Sequence, residues 1–369
     1  MIDQKRRAFV VHAGQLTAAV CLFTALPFDR AFGQASASVT VDQHAAGLAP
    51  GADCTALLQQ AIDKLPPTGG EVIVPAGDYL IDPVRSVSLR SRVRLLLLPG
   101  AVLRAKPVTS ASYAILRIQN ASNVSVSGGS LIGDRDQHLG TTGEWGMGVD
   151  IRGSHAVLLE NVHISKCWGD GIYVGTSTGT ESGACSDITL RHVVAEQNRR
   201  QGLSIVACSG ALIEQCEFNN TGGTAPAAGI DLEPNKGQTV ENVRIVNCTA
   251  RGNQGDGFQF YAGALGAQIK NSTIDGGISA GNKRYGVSLA GTSNCSVTNV
   301  QITDNANYGV YVQKSAQDCT ISSNKIAGNL HGAAVQAAVV KAPQDGVSSD
   351  IMVEDGAQNI KLNSNESAN

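Results

Sequence analysis

Hydrophobic and polar residues alternate in a short pattern that recurs through the second half of the chain. Each copy begins with glycine and reads Gly-apolar-x-apolar, as in Gly202-Leu203-Ser204-Ile205. The copies begin at Gly148, Gly171, Gly202, Gly229, Gly257, Gly286, Gly309 and, in degenerate form, Gly332. They are 23 to 31 residues apart, and short strands at such a period, without helical patterns between them, predict an all-β solenoid. Each strand is too short to be stable alone, so the coils must stack and bury one apolar column.

The segment before the repeats predicts a lead-in strand and a helix that covers the first coil. Asp53 is placed to cap this helix. One face of the helix is apolar and consists of Leu57, Leu58, Ala61 and Ile62. A helix across this end would shield the apolar layer that the first coil exposes. We therefore expect a folded domain over residues 38–340 and a frayed tail over residues 341–369.

This N-terminal block carries a resemblance to a known family. The matching residues are Asp53, Thr55, Gln60-Ala61-Ile62, Gly69-Gly70, Val74-Pro75-Ala76-Gly77 and Tyr79. The block resembles the N-terminal portion of the pectate-lyase-like (pectin-lyase-like) superfamily, and the later repeats fit the same architecture. The resemblance implies a single-stranded right-handed parallel β-helix with an N-terminal capping helix, and a protein that is active on polysaccharides.

The first 35 residues are typical of an export signal. Lys5-Arg6-Arg7 precedes an apolar run over residues 8–27, and small residues follow. The segment Arg6-Arg7-Ala8-Phe9-Val10 resembles the twin-arginine signal, with an ordinary secretory signal as the alternative. We expect a periplasmic or extracellular protein without a membrane anchor after signal removal. The net charge of −3 argues against nucleic acid as a partner.

Eight cysteines lie outside the signal, and none is in a CxxC spacing that would indicate zinc. Cys185 and Cys208, and likewise Cys295 and Cys319, are about one repeat apart. Each pair can therefore stack on neighbouring coils, either as a disulfide or, as we favour, as buried thiols. A second column lies four residues before the repeat glycines and is predicted to form a structural ladder of asparagines: Asn198, Asn253, Asn282 and Asn305.

The repeat predicts one polar face. Side chains alternate along a strand, so the two apolar residues of each copy point inward, while x and the residue two positions later face outward. Asp231 and Glu233 occupy these outward positions in one copy and should lie roughly 6.5–7 Å apart. That separation suits inverting glycoside hydrolysis, and it also suits a calcium ion. Inserts at residues 175–184 and 221–228 are predicted to wall a groove beside them.

We predict a catalytic set made of Asp170, Arg200, Asp231 and Glu233. The predicted substrate-binding residues are Asp150, Trp168, Tyr173, Lys236, Asp256 and Tyr261. The alternative for each is a structural role, as a turn residue, a solvated strand face or an ordinary ion pair. Three histidines outside this face are interpreted as structural: His155, His163 and His192.

Three functions stay open. The first is glycoside hydrolysis by the paired carboxylates. The second is elimination or C5-epimerisation of a uronate polymer. Alginate epimerases and lyases of the resembled fold use a carboxylate neutraliser, a base and an acid, and the resemblance implies Arg200, Lys236 and Tyr173 for these parts. The third is glycan binding without catalysis. Among polygalacturonase motifs, only Trp168-Gly169-Asp170-Gly171 is similar, so that mechanism does not carry over beyond Asp170 as a match.

Overall fold

A computed structural model describes residues 37–41, 51–179, 183–330 and 350–367 of the chain. The predicted export signal, residues 1–35, and the degenerate repeat at Gly332 lie outside these described residues.

The described residues form one short α-helix, one 3₁₀ turn (Arg135–Gln137) and a long series of strands. The first elements are β1 (Ser38–Thr40), α1 (Thr55–Asp63), β2 (Gly70–Val74), β3 (Gly77–Ile81), β4 (Val87–Leu89), β5 (Val93–Leu97), β6 (Ala101–Ala105), β7 (Ser112–Gln119), β8 (Ser122–Ser127) and β9 (Ser130–Ile132). There follow β10 (Trp145–Arg152), β11 (His155–Glu160), β12 (His163–Ser165), β13 (Ile172–Gly175), β14 (Cys185–Arg191), β15 (Val194–Glu196), β16 (Leu203–Ile205), β17 (Cys208–Glu214), β18 (Glu217–Asn219), β19 (Ile230–Leu232), β20 (Thr239–Arg251) and β21 (Phe258–Tyr261). The last are β22 (Gln268–Lys270), β23 (Thr273–Ala280), β24 (Val287–Ala290), β25 (Thr292–Ser293), β26 (Ser296–Thr298), β27 (Gln301–Thr303), β28 (Val310–Val312), β29 (Thr320–Ser322), β30 (Lys325–Ala327), β31 (Ile351–Val353), β32 (Lys361–Asn363) and β33 (Glu366–Ser367).

The strands stack coil on coil into two parallel sheets. Sheet II has 10 strands and takes one from each coil: β4, β7, β10, β13, β16, β19, β21, β24, β28 and β31. Sheet I contains the other 23 strands of the described residues. Successive strands of sheet II pair in parallel and in register, as Ile172↔Leu203 and Leu203↔Ile230 illustrate. This arrangement confirms the predicted all-β parallel solenoid.

The apolar positions of the repeat form the core. On β16 and β19, Leu203, Ile205, Ile230 and Leu232 are all buried and belong to one continuous cluster that runs the length of the stack. Removal of such side chains from water is the main favourable contribution to the free energy of folding, at roughly 1.5–3 kcal/mol for each large side chain.

The repeat glycine is required for space rather than for backbone freedom. A Cβ on Gly229 would lie 2.7 Å from the carbonyl oxygen of Gly257, and one on Gly257 would lie 2.7 Å from that of Gly286. Because each glycine faces the backbone of the next coil at this distance, any side chain would force neighbouring coils apart. The glycine column therefore fixes the close stacking that sheet II needs.

Asparagines in the turn before each strand of sheet II form hydrogen bonds with one another from coil to coil. Asn253 Nδ2 donates to Asn282 Oδ1 at 2.9 Å, and Asn282 Nδ2 donates to Asn305 Oδ1 at 2.8 Å. The ladder continues through Asn329 to Asp350, whose Oδ2 accepts from Asn329 Nδ2 at 2.9 Å. The predicted structural ladder is thus present from Asn253 to Asn305 and extends two coils further. Asn198, at the other end, accepts from the backbone of Cys167.

The N-terminal helix lies at the start of the stack, where α1 contacts β1 and β4. Leu58 and Ile62 are fully buried in the core cluster. Cys54, not Asp53, occupies the cap position of α1. The Asp53 carboxylate still accepts a hydrogen bond from the backbone N–H of Thr55, the first helical residue, at 2.8 Å.

The C-terminal end differs from the expected tail. Strands β31, β32 and β33 pair with β28, β29 and β30, so residues 350–367 add a further coil. Among the described residues, the next strand of sheet II after β28 is therefore Ile351–Val353. The repeat pattern missed it because the spacing widens there and Asp350 precedes the strand in place of glycine.

The eight cysteines among the described residues are all buried, and the predicted pairs, Cys185 with Cys208 and Cys295 with Cys319, are free thiols. Cys185 and Cys208 lie side by side on β14 and β17, as the repeat spacing predicts. The favoured interpretation as buried thiols agrees with the structure.

Candidate active site

The polar positions of the repeat form one column on sheet II. Register pairs connect them from coil to coil in the order Asp150, Tyr173, Ser204, Asp231, Gln259 and Ser288. Their flanking residues on each strand lie in the apolar core, so this column is on the opposite face, as predicted. Exposure differs from the expectation, because Asp231 is fully buried and Ser204 almost so. Two side chains from the turn before β16 reach over this part of the column: Gln201 Nε2 donates to Asp231 Oδ2, and Arg200 pairs with Asp170 and Glu233.

Arg200 connects the acids of this region. Its Nη1 lies 3.2 Å from Asp170 Oδ2, and its Nη2 lies 3.2 Å from Glu233 Oε2. On a third side, Glu144 Oε1 is 3.9 Å from Nε. The arginine side chain is only 14% exposed and that of Glu233 is 34% exposed. The structure therefore brings three of the four predicted catalytic residues into direct contact.

Asp170 is a buried carboxyl held by two donors. Ser204 Oγ donates to its Oδ2 at 2.8 Å, and Arg200 supplies the opposite charge. Burial raises the pKa of Asp170 to about 6, and the arginine and serine only partly oppose that rise. Since Asp170 is fully buried, its contact with substrate would require the side chains above it to move.

Asp231 is the most perturbed acid of the column. Its Oδ2 accepts a hydrogen bond from Gln201 Nε2 at 2.7 Å, while its Oδ1 is buried and has no partner in the described part of the chain. Burial, followed by the negative charge of Glu233, raises the pKa of Asp231 well above its ordinary value. Asp231 and Glu233 thus face the same side in different environments, one enclosed and one partly in solvent.

Asp256 repeats the environment of Asp170 further along the stack. Ser288 Oγ donates to Asp256 Oδ2 at 2.6 Å, and the backbone N–H of Tyr285 donates to Oδ1 at 3.2 Å. Arg284 Nε lies 3.6 Å from Oδ1. Burial raises the pKa of Asp256. Because Asp256 is almost completely buried and its oxygens already accept hydrogen bonds, the direct contact with substrate that we predicted from the sequence would require the side chains above it to move.

Trp168 does not present a free ring face. His138 stacks on it with 3.9 Å between ring centroids and 16° between planes. The guanidinium carbon of Arg199 lies 3.9 Å from the centroid of the same ring. His138 in turn is held by Asp134, whose Oδ2 lies 2.8 Å from Nδ1. These contacts fix residues 134–138 against the turn at Trp168, which gives the tryptophan a structural role here.

Tyr261, in contrast to Trp168, has an exposed ring. It is 40% exposed, and a Cβ on Gly263 would lie 2.4 Å from its ring carbon Cζ. The ring therefore lies against the glycine with its other side toward solvent. By register, Tyr261 follows Gln259 on β21 as Glu233 follows Asp231 on β19, so the tyrosine and the glutamate are on adjacent coils.

Two of the predicted binding residues, Tyr173 and Asp150, lie two and three coils before Asp231. The guanidinium carbon of Arg152 lies 4.4 Å from the centroid of Tyr173, while its Nε is 2.7 Å from Asp150 Oδ1. Arg117 Nε approaches the same carboxylate at 4.0 Å. Lys236 is exposed in the turn after Glu233. The three histidines lie apart from sheet II: His155 and His163 on β11 and β12 of sheet I, and His192 after β14.

Glu144, Gln201 and Ser204 were missed as site residues. Gln201 and Ser204 belong to the repeat that was already recognised, three residues apart, and their polar side chains on the coil before Asp231 were the available signal. Glu144 lies in an irregular stretch that breaks the period, so no pattern could place it beside Arg200.

Metal binding has little support from the donor groups. Among the described residues, no cluster of three or more His, Cys, Asp or Glu side chains is arranged to hold a metal ion. At the acids themselves, Arg200 already lies between Asp170 and Glu233. Calcium binding stays a prediction from the sequence.

The fold and this polar face define a β-helix protein, and comparisons with known proteins agree. The profile of the family described as "Right handed beta helix region" matches residues 100–242, 146–285 and 227–366. The chain belongs to this family, which confirms the predicted right-handed β-helix and the pectate-lyase-like resemblance.

Particular relatives are similar over much of the fold. The SPbeta prophage-derived uncharacterized protein YorA of Bacillus subtilis (strain 168) is 32% identical over 283 residues, covering 63% of this chain and 48% of that protein. The chain thus spans about half the length of that relative. The A-module of mannuronan C-5 epimerase AlgE4 from Azotobacter vinelandii superposes with a TM-score of 0.67 and 23% identity, covering 87% of this chain and 93% of that one. A hyperthermoactive exopolygalacturonase from Thermotoga maritima gives a TM-score of 0.60 and 14% identity, with 80% and 88% covered.

Over the described residues, the structure contains no helix with the length and apolar character of a membrane span.

Proposed function

We propose that this protein hydrolyses a polysaccharide that lies across sheet II, with Asp231 and Glu233 as its acid/base pair. The supporting observation is that the two carboxyls share one face but not one environment. Burial raises the pKa of Asp231, which favours its protonated form. Glu233 is partly exposed and paired with Arg200. Acid/base catalysis needs such a division, with one group holding a proton and the other accepting one.

In this proposal Asp231 is the general acid and Glu233 is the general base. The unpartnered Oδ1 of Asp231 is the atom that protonates the glycosidic oxygen. Glu233 accepts the proton of the attacking water. Arg200 holds Glu233 and Asp170 in place before substrate arrives. Because Asp231 is fully buried, the proposal requires Arg200 and Glu233 to move apart when the polymer binds.

The binding surface extends on both sides of this pair. Tyr261 offers an exposed ring on the next coil, and sugar rings stack on aromatic faces. Lys236 and Tyr173 lie within the same stretch of sheet II and its turns. A polymer outside the cytosol is consistent with the predicted export signal, so we keep the periplasmic or extracellular location as part of the proposal.

Uronate elimination or C5-epimerisation is the second candidate, and one observation favours it. Arg117 and Arg152 both approach the single carboxylate of Asp150. Their side chains are about one-third exposed, so positive charge remains to neutralise a sugar carboxylate. Burial raises the pKa of Tyr173, which keeps its phenol protonated as an acid. The similarity to a mannuronan epimerase and an exopolygalacturonase supports polysaccharide as the substrate of either reaction.

The products distinguish these functions. The full chain would be incubated with mannuronan, polygalacturonate and a neutral β-glucan, and the products analysed by mass and near-ultraviolet absorbance. Hydrolysis adds one water per cleavage, elimination gives unsaturated ends that absorb, and epimerisation leaves chain length unchanged. We expect hydrolysis, with the rate lost in Asp231→Asn. Binding without any product would contradict the proposal and favour a glycan-binding role, and an unaffected Asp231→Asn would refute the assigned acid.

A further inference from the structure

The β-helix builds the same three-residue arrangement twice on sheet II. The first triad is Asp170, Arg200 and Ser204, and the second triad is Asp256, Arg284 and Ser288. In each, a buried aspartate accepts a hydrogen bond from a serine hydroxyl on the following coil, at 2.8 Å in the first and 2.6 Å in the second. In each, an arginine four residues before that serine pairs with the same aspartate.

The two arginines differ in what else they meet. Arg200 also binds Glu233 and is 14% exposed. Arg284 is 48% exposed and its Nε lies 3.6 Å from Asp256 Oδ1, whereas no second carboxylate pairs with it among the described residues. The register explains the difference. Glu233 lies two residues after the partner of Ser204 on β19, whereas Gln313 lies two residues after the partner of Ser288 on β28. A neutral amide thus replaces the acid.

Arg284 is nevertheless positioned by two neighbours, Asp256 and Tyr285. Its anchor, Asp256, is almost completely buried and is oriented by Ser288 and the backbone of Tyr285. The guanidinium carbon lies 5.5 Å from the centroid of the Tyr285 ring. That ring stacks on Tyr311 with 4.4 Å between centroids. An arginine whose Nε faces its anchor and whose side chain is half exposed can present a planar pair of donors to solvent.

We propose that Arg284 binds an anionic substituent, a carboxylate or a sulfate, on the polysaccharide. This inference rests on the proposed function for the position of the polymer along sheet II. Guanidinium groups bind such anions through two parallel hydrogen bonds. The second triad is three coils beyond the first, about 14 Å at an inter-strand spacing of roughly 4.8 Å. One oligosaccharide can therefore span Glu233 and Arg284, with the charged sugar on the C-terminal side of the acids.

The test measures binding, independently of turnover. Affinities of the full chain for polygalacturonate, its fully methyl-esterified form, mannuronan and a sulfated galactan would be determined by calorimetry for wild type and three variants. Arg284→Gln removes the charge, Arg284→Lys keeps the charge without the planar fork, and Lys283→Gln removes the adjacent exposed charge as a matched control. Unfolding temperatures would show that each variant is folded.

We expect Arg284→Gln to weaken binding of an acidic polymer by about tenfold or more, as for a lost charge-assisted hydrogen bond. Arg284→Lys should recover part of that loss, and Lys283→Gln should lose little. Comparison of the two uronate polymers with the sulfated galactan shows whether the bound anion is a carboxylate or a sulfate. The inference is overturned if Arg284→Gln and Lys283→Gln weaken binding of an acidic polymer equally. It is also overturned if Arg284→Gln weakens binding of the methyl-esterified polymer as much as binding of polygalacturonate, or if wild type binds no acidic polymer. Arg284-dependent binding without any turnover would instead refute the proposed reaction alone.

Discussion

Replacing Asp170 by Asn tests the electrostatics of the site through stability. Burial raises the pKa of Asp170 to about 6, against an ordinary value of 3.8. The folded protein therefore holds this proton more tightly than the unfolded chain does. The stability it contributes is complete below about pH 4 and is lost as the pH rises through about 6. At about 1.36 kcal/mol per pKa unit, that loss is about 3 kcal/mol of unfolding free energy.

The measurement is urea unfolding of wild type and Asp170→Asn at a series of pH values. Asparagine cannot ionise, so the wild type should lose about 3 kcal/mol relative to the variant between about pH 4 and pH 8. Asp275→Asn, at an exposed position on β23, removes the same chemical group from the surface and serves as the control. A wild-type-minus-variant difference that stays constant over this range would refute the reasoning, because Asp170 would then titrate alike in both states.

Two further substitutions test the stacking and the binding face. Asn282→Ala interrupts the asparagine ladder between Asn253 and Asn305. It should lower the free energy of unfolding by about 1–3 kcal/mol because buried amides lose their partners. Urea unfolding of the variant measures this change, and the substitution leaves the charge of the site unchanged. Gly263→Ala would place a methyl group 2.4 Å from the Tyr261 ring, so it should raise KM for the polysaccharide with little change in kcat. An unchanged KM would exclude this ring from binding.

The architecture was predictable because its causes are local and periodic. The alternation in Gly229-Ile230-Asp231-Leu232 assigns each side chain to a face, and the glycine leaves the space in which the next coil can lie close. Repetition of these two features sets the register, so the column through Asp150 and Asp231 follows from counting alone.

The burial of the site was not predictable in the same way. Arg200 and Gln201 lie in the turn before β16, and their reach over Asp231 and Glu233 depends on turn conformations that the repeat does not encode. Glu144 reaches Arg200 from an aperiodic stretch. For the same reason we predicted the face on which Asp231 lies but expected it to be exposed, whereas it is fully buried.

The most direct test of the central claim is the depolymerisation rate of Glu233→Gln beside Glu217→Gln. Glu217 is exposed on β18 of sheet I, so its change removes one carboxylate without touching sheet II. If Glu233 is the general base on a bound polysaccharide, its variant should lose about 100-fold or more in kcat, while Glu217→Gln keeps the wild-type rate. Equal rates for the two variants would contradict the account.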